Sequence, residues 1–257
     1  MTDNVTLYHG DCLEVMKQIP DKSISAVICD LPYGTTDCKW DVVIPFEKLW
    51  EQYNRVCKSN AVIALFGNEP FTSLLVCSNL KWFKYRLDWD KVVPSGFTYA
   101  RFRPMQQTED VAIFSVGGGK TAYNPQMKKR EKPIKSGGNS VSTTIYNVNG
   151  IVNGTEYVKT YEHKFPTTLM RFMKIRQGSL HPTQKPVDLL RYLIRTYSNE
   201  GDTILDNTMG SGSTGVAAVM ENRKFIGIEL QDNYYQIAVK RINEAIIKKS
   251  SEIQFEL

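Results

Sequence analysis

The chain has 257 residues, 42% hydrophobic and 23% charged, which describes an ordinary globular protein large enough for one α/β domain or one domain carrying an insertion. No apolar run is long enough to span a bilayer, and the polar start Met1-Thr2-Asp3-Asn4 does not read as a signal peptide. The net charge of +5 is unevenly spread: residues 115–180 hold 11 Lys or Arg against 3 acids, a net of +8 that leaves −3 for the remainder, and this is the footprint either of a solvated loop or of a module that meets a polyanion.

Val5-Thr6-Leu7-Tyr8-His9 reads as a short strand closed by Gly10-Asp11. Residues 12–18 form a turn or two of helix, with Leu13, Met16 and Ile19 at helical spacing and Pro20 ending it. Ala26-Val27-Ile28-Cys29 is an unbroken apolar run, as suits a parallel strand covered on both faces. Residues 34–45, with Trp40, form a loop irregular enough to move, and Phe46, Leu49, Trp50, Tyr53 and Val56 mark a helix face. A strand at 61–66 stops at Gly67, and Pro70 opens a helix with Phe71, Leu74, Leu75 and Ser78 on one side. Residues 82–89 and 110–116 follow as strands.

After Gly117-Gly118-Gly119 the periodicity is lost through residue 178. We read this stretch as an inserted, partly irregular module in which Ile145, Tyr146, Ile151, Val152, Tyr157 and Tyr161 form short strands. Order returns at His181-Pro182-Thr183-Gln184-Lys185-Pro186, followed by a helix bearing Val187, Leu189, Leu190, Leu193, Ile194 and Tyr197. A strand at 203–206, a helix at 214–221, a strand at 225–228 with Glu229, and an amphipathic helix near 232–248 complete the chain. Strands alternating with helices predict a doubly wound, mostly parallel sheet. Cys12, Cys29, Cys38, Cys57 and Cys77 form no CxxC pair, so free thiols and a reducing, cytoplasmic compartment are expected; the three histidines are far apart, and no metal site is expected.

Two stretches carry chemistry. Cys29-Asp30-Leu31-Pro32-Tyr33-Gly34 sets a carboxylate, a backbone carbonyl and an aromatic ring side by side at a strand end, which is what a planar base with an exocyclic amino group requires. An ordinary strand-ending turn would use the same residue types. Gly210-Ser211-Gly212-Ser213-Thr214-Gly215 matches GxGxxG between a strand and a helix, and Glu229 closes the next strand, where a carboxylate can grip ribose hydroxyls. The spacing serves a nicotinamide dinucleotide or S-adenosylmethionine alike. Asp206 at the strand tip would repel a pyrophosphate and attract an ammonium or sulfonium instead.

Together, Asp30-Leu-Pro-Tyr33, His181-Pro-Thr-Gln-Lys-Pro186 and Asp206-Asn-Thr-Met-Gly210-Ser-Gly212-Ser-Thr-Gly215 resemble the DNA amino-methyltransferases. The likeness is to the adenine-N6 branch in which the catalytic motif precedes the cofactor motif, the β class. It covers about residues 5–116 and 181–245, and Leu31 stands where that family usually has proline, which loosens the turn but keeps the carbonyl. The resemblance implies a seven-stranded α/β sheet with one antiparallel strand, the strands ending at Asp30 and Asp206 lying side by side at its centre. It implies 1–116 as a catalytic half, 117–180 as a basic target-recognition insertion, and 181–257 as the cofactor-binding half.

For the reaction, it implies methyl transfer from S-adenosylmethionine to a flipped-out adenine. Asp30 and Leu31 would accept the amino hydrogens, Pro32 would stiffen the turn, and Tyr33 would stack on the base. Asp11 and Glu229 would hold the adenosine part. Asp206, Gly210 and Gly212 would shape the wall near the methionine moiety, His181, Thr183 and Lys185 would reach its carboxylate, and Cys12, Asp30, Thr208, Ser211, Ser213 and Thr214 would also meet the cofactor. Lys128, Lys129, Arg130, Lys132 and Lys135 would contact double-stranded DNA. A homodimer and a separately acting restriction endonuclease are further partners that the family brings into view, and no membrane is expected. Cytosine-N4 methylation uses the same geometry and stays open, as does, from a different class, a nicotinamide-dependent oxidoreductase built on the glycine loop.

Overall fold

The computed structural model describes residues 4–36, 38, 41–136, 159–175 and 184–255. The chain divides into two compact units, Met1–Asn124 with Thr168–Leu257, and Pro125–Thr167. The first is an open sheet, built from β1 (Val5–His9), β2 (Ile24–Cys29), β3 (Cys57–Gly67), β4 (Phe83–Ser95), β5 (Gln106–Ser115), β8 (Leu169–Arg171), β9 (Thr203–Asp206) and β10 (Lys224–Glu229). Its helices are α1 (Cys12–Met16), α2 (Phe46–Val56), α3 (Phe71–Ser78), α4 (Val187–Tyr197), α5 (Ser213–Met220) and α6 (Asp232–Phe255).

The strand order is β1-β10-β9-β2-β3-β5-β4-β8. Pairing is parallel except on either side of β5, so β5 alone runs against the rest. The expected seven strands gain an eighth, the three-residue β8, which pairs with β4 at the edge. Its residues fall within the expected insertion because three residues carry no periodicity.

The apolar runs are continuous because the sheet is covered twice. Ala26, Ile28, Val62, Ala64, Phe66, Val111 and Ile113 pack under α4, α5 and α6. Their neighbours Val27, Cys29, Ala61, Ile63, Leu65, Ala112 and Phe114 pack with side chains of α1, α2 and α3. Successive residues face opposite layers, as the pleat demands. On α3, Leu74 departs from the expected apolar face and is exposed, while Phe71, Thr72 and Leu75 are buried.

At α5 the side chains of β10 and α6 press against a glycine. A Cβ added at Gly215 would lie 2.7 Å and 2.9 Å from ring atoms of Phe225 and against Ile242. Gly215→Ala is therefore expected to cost about 1–3 kcal/mol by overpacking, read as a lower urea midpoint at unchanged slope.

The second unit contains a two-stranded antiparallel ribbon of β6 (Lys128–Ser136) and β7 (Lys159–Lys164). The five basic residues singled out above all lie on β6, with Lys128, Lys129, Lys132 and Lys135 exposed and Arg130 donating to the His163 carbonyl at 3.2 Å. Of the expected insertion strands, Tyr161 lies on β7, whereas Ile145, Tyr146, Ile151, Val152 and Tyr157 lie outside the described residues. The compact unit is also narrower than the expected 117–180, since residues 117–124 and 168–175 belong to the main unit. Among the described residues no helix is long and apolar enough to cross a membrane, and all five cysteines are free.

Candidate active site

In a sheet where only β5 is reversed, the C-terminal ends of the other strands and the N-terminal end of β5 share one edge. That edge gathers Asp11 after β1, Asp30 after β2, Asp206 at the end of β9, Glu229 at the end of β10 and Glu109 near the start of β5. The chain leaves β2 towards β3 on one side and β9 towards β10 on the other, so the crevice between them is the switch point at which open α/β sheets bind ligands. A cavity of about 610 Å³ opens there, lined among others by Asp11, Cys12, Asp30–Tyr33, Lys185, Asp206, Thr208, Gly210 and Glu229. Residues far apart in the chain therefore meet because β2 and β9 are hydrogen-bonded neighbours, with Ala26 opposite Ile204 and Val27 opposite Leu205.

The two halves are tied at the base of the crevice. The Thr208 hydroxyl donates to the Asp30 carbonyl at 2.8 Å, and the Cys29 thiol lies 2.9 Å from that hydroxyl. Tyr53, fully buried, donates to the Asn207 side-chain oxygen at 2.6 Å. Thr208 thus acts as a cross-link between the β2 and β9 loops.

Asp30 sits in a charged network. Its Oδ1 accepts the Tyr33 hydroxyl at 2.6 Å and its Oδ2 accepts Lys185 Nζ at 2.7 Å. Lys185 is also 2.7 Å from Glu109 Oε1, and Tyr33 reaches the same oxygen at 3.3 Å. Lys185 is buried, with its ammonium 5.0 Å from the Phe66 ring centroid. Burial would lower its pKa, but the two carboxylates outweigh it and hold the ammonium above its ordinary value. The expected partner of Lys185 is the cofactor's carboxylate; in this structure its ammonium contacts Asp30 and Glu109. Burial pushes the Tyr33 hydroxyl up, and the two neighbouring acids add to this. The Tyr33 ring rests 4.8 Å from that of Phe71.

The other wall is acidic. Asp206 is 3% exposed; burial pushes its carboxyl up to about 7, against hydrogen bonds from Thr214, Cys29 and the Thr208 N–H. Burial also raises Glu229, whose carboxylate accepts the Gly210 and Gln231 N–H groups at 2.9 and 2.7 Å. Asp11 caps α1 by accepting from Leu13 and Glu14 through Oδ1. Cys12 is buried and its thiol is pushed up to about 11, first by burial. Ser211 and Ser213 bond Arg241 of α6, which reaches Ser211 O at 2.5 Å and the two hydroxyls at 3.0 and 3.2 Å.

Gly212 takes φ +79°, and a Cβ there would meet Ala238 at 2.9 Å. Its freedom serves the turn and the seating of α5 on α6. The loop at 34–45, expected to be mobile, is knotted over residues 34–36 by Asp41, which accepts the Gly34, Thr35 and Thr36 N–H groups at 2.7–2.9 Å. Trp40, His181 and Thr183 lie outside the described residues.

Glu109 and Lys91 line the cavity but carry no signal in the sequence, Glu109 resembling a solvated strand residue and Lys91 a strand-end cation. Asn207 lies inside the glycine-loop motif, with no role expected of it. Lys91 is 6% exposed, and burial lowers its pKa against the pull of Glu109. Asn207 Nδ2 has no hydrogen-bond partner among the described residues, though it lies near the Cys12 thiol.

A doubly wound sheet with acids at two central strand tips beside a glycine loop defines a nucleoside-cofactor site at the switch point. A family model for DNA methylases matches residues 24–240, and the chain belongs to that family. It is 28% identical to the DNA adenine methyltransferase YhdJ of Escherichia coli (strain K12), over 96% of this chain and 86% of that protein. It is 26% identical to the Type II methyltransferase M.HinfI of Haemophilus influenzae, over 93% and 68% respectively. The M1.HpyAVI–SAM complex shares the fold at TM-score 0.63 and 23% identity, covering 93% of this chain and 99% of that one. The cytosine-N4-specific PvuII DNA methyltransferase does so at 0.63 and 16%, covering 96% and 93%.

Proposed function

We propose that this DNA methylase transfers a methyl group from S-adenosylmethionine to the N6 amino group of an adenine flipped out of double-stranded DNA. The observation that carries the reading is the meeting of Asp30 and Asp206 in one crevice, on neighbouring strands. The cofactor fits what surrounds it. The volume is that of a small-molecule site, and the Asp206 and Glu229 wall favours a cation. When bound, the cofactor supplies a methyl group made electrophilic by its sulfonium.

The chain's own residues do the rest. Asp11 and Glu229 hold the adenosine part, with Cys12 against it, and Asp206 with the 210–214 loop shapes the methionine side. The Asp30 carboxylate and the Leu31 carbonyl accept the two amino hydrogens of the base. This leaves the nitrogen more pyramidal, its lone pair no longer spread into the ring. Positioning and fixed charge then supply most of the rate. Extruding the base costs a few kcal/mol, and stacking on Tyr33, backed by Phe71, returns about 1–3 kcal/mol.

Incubating unmethylated DNA with the protein and labelled S-adenosylmethionine tests the reading. Mass analysis of the nucleosides is expected to show N6-methyladenine. N4-methylcytosine would overturn the base assignment, and unlabelled DNA the whole reading.

The β6 ribbon is read as a DNA-binding element, supported by its exposed lysines. Replacing Lys128, Lys129 and Arg130 by Gln is expected to weaken binding across all sequences. The slope of log K against log salt should fall by about 0.9 for each phosphate that is no longer neutralised. An unchanged slope would remove the ribbon from the interface.

A further inference from the structure

We propose that Lys185 and Glu109 form a charge-setting pair for Asp30: Lys185 is the positioning residue that keeps the Asp30 carboxylate an acceptor, and Glu109 holds Lys185 in place. The proposal rests on the methyl-transfer reading for its purpose, but not for its geometry. One buried ammonium bridges two carboxylates at 2.7 Å each, from α4's leading segment to β2 and β5. Asp30 must accept hydrogens from an amino group that is itself a weak donor, and a protonated carboxyl would offer a donor where an acceptor is needed.

Two carboxylates sharing one small site do not both stay ionised without a cation, because their repulsion in a poorly solvated pocket drives a proton onto one of them. Lys185 prevents this. Its own charge is secure, since neither burial nor the nearby Lys91 outweighs two adjacent acids. The other groups facing Asp30 cannot take over the task. Tyr33 donates a neutral hydrogen bond. The Cys29 thiol precedes Asp30 on β2 and Asp206 lies across the β2–β9 junction, neither a source of positive charge, and Lys91 interacts with Glu109 and not with Asp30. Glu109 completes the arrangement: two acids around one base pin the ammonium, which a single flexible partner would not.

An unusual double-variant outcome is expected. Lys185→Met leaves Asp30 and Glu109 facing each other with no cation between them, so one of the two carboxylates is expected to keep a proton that the parent releases. Adding Glu109→Gln removes the repulsion and should bring the transition back down. A role in packing alone would make the second substitution additive or worse.

The experiment has two arms. Carboxyl-carbon NMR of protein labelled at aspartate, with Asp30→Asn for assignment, follows Asp30 from pH 5 to 9 without reference to activity. The pH profile of single-turnover methyl transfer follows the chemistry. The Lys185→Met transition should move up in both arms and the Lys185→Met/Glu109→Gln transition should move back, with Lys185→Arg near the unaltered protein. If Lys185→Met does not fold, the double variant, in which both charges go together, decides: Asp30 ionised and turnover within about tenfold supports the pair. A Lys185→Met transition that does not move, or a pH-independent loss in both variants, overturns it. Were the NMR shifts present and the unaltered protein unable to methylate DNA, the pair would stand and the functional reading would fall.

Discussion

Asp30→Ala is expected to lower methyl transfer by about 10²–10³-fold or more and to leave cofactor affinity within a few-fold. The variant removes the acceptor of the amino hydrogens but not the wall that holds the cofactor, because Asp206, Glu229 and Asp11 come from other strands and keep their own partners. The fold should survive it. Lys185, deprived of one carboxylate, retains Glu109 at 2.7 Å, so no buried ammonium is left unpaired. Single-turnover methylation and a calorimetric titration with S-adenosylmethionine separate the two quantities. Turnover within tenfold of the parent would remove Asp30 from the chemistry. Equal losses in both measurements would move it into the cofactor wall.

The second large effect concerns Asp206 and pH. Burial raises its carboxyl from 3.8 to about 7 in the folded chain. Below 3.8 both folded and unfolded forms are protonated and the group contributes nothing. Between 3.8 and about 7 the folded chain keeps a proton that the unfolded chain has released, so the stability of the ligand-free protein falls as pH rises through that window. Above it the penalty is complete, on the order of 4 kcal/mol. Asp206→Asn keeps the shape and the Thr208 N–H bond, now 3.2 Å, but cannot ionise. The difference in unfolding free energy between parent and variant should therefore grow from pH 4 to 7 in the variant's favour. Ligand binding runs the other way. A cationic ligand beside Asp206 is held more tightly as pH rises through 7, with about one proton released, and Asp206→Asn should flatten that dependence and cost about tenfold or more in affinity. A parent and variant with parallel stability curves would show that Asp206 titrates like an exposed acid.

Much of this is legible from residue patterns. The apolar runs at 26–29 and 61–66 are strands because each residue packs into one or other helical layer, and uninterrupted apolarity is the local trace of that double cover. Asp30 and Asp206 are visible because each follows such a run directly. Glu109 is not, for a reason of direction. An acid near the beginning of a strand reads as solvent-facing, and it reaches the crevice only because β5 runs antiparallel to β3. Lys185 is recognisable as a residue of the crevice, but its partner is not. Its spacing from Pro186 and α4 says where its backbone lies, not which of several anions its side chain meets.

The sequence by itself determined the alternation of elements, the two acidic strand ends, the glycine loop and the family, since these depend on neighbours in the chain and on side-chain chemistry. Only the tertiary structure decided the eighth strand, the tie through Thr208 and the bridging of Asp30 to Glu109 by Lys185. The physical reason is that strand order and strand direction arise from burying two faces of one sheet at once. Hydrogen bonds between residues 76 or 155 positions apart leave no periodic mark on either segment.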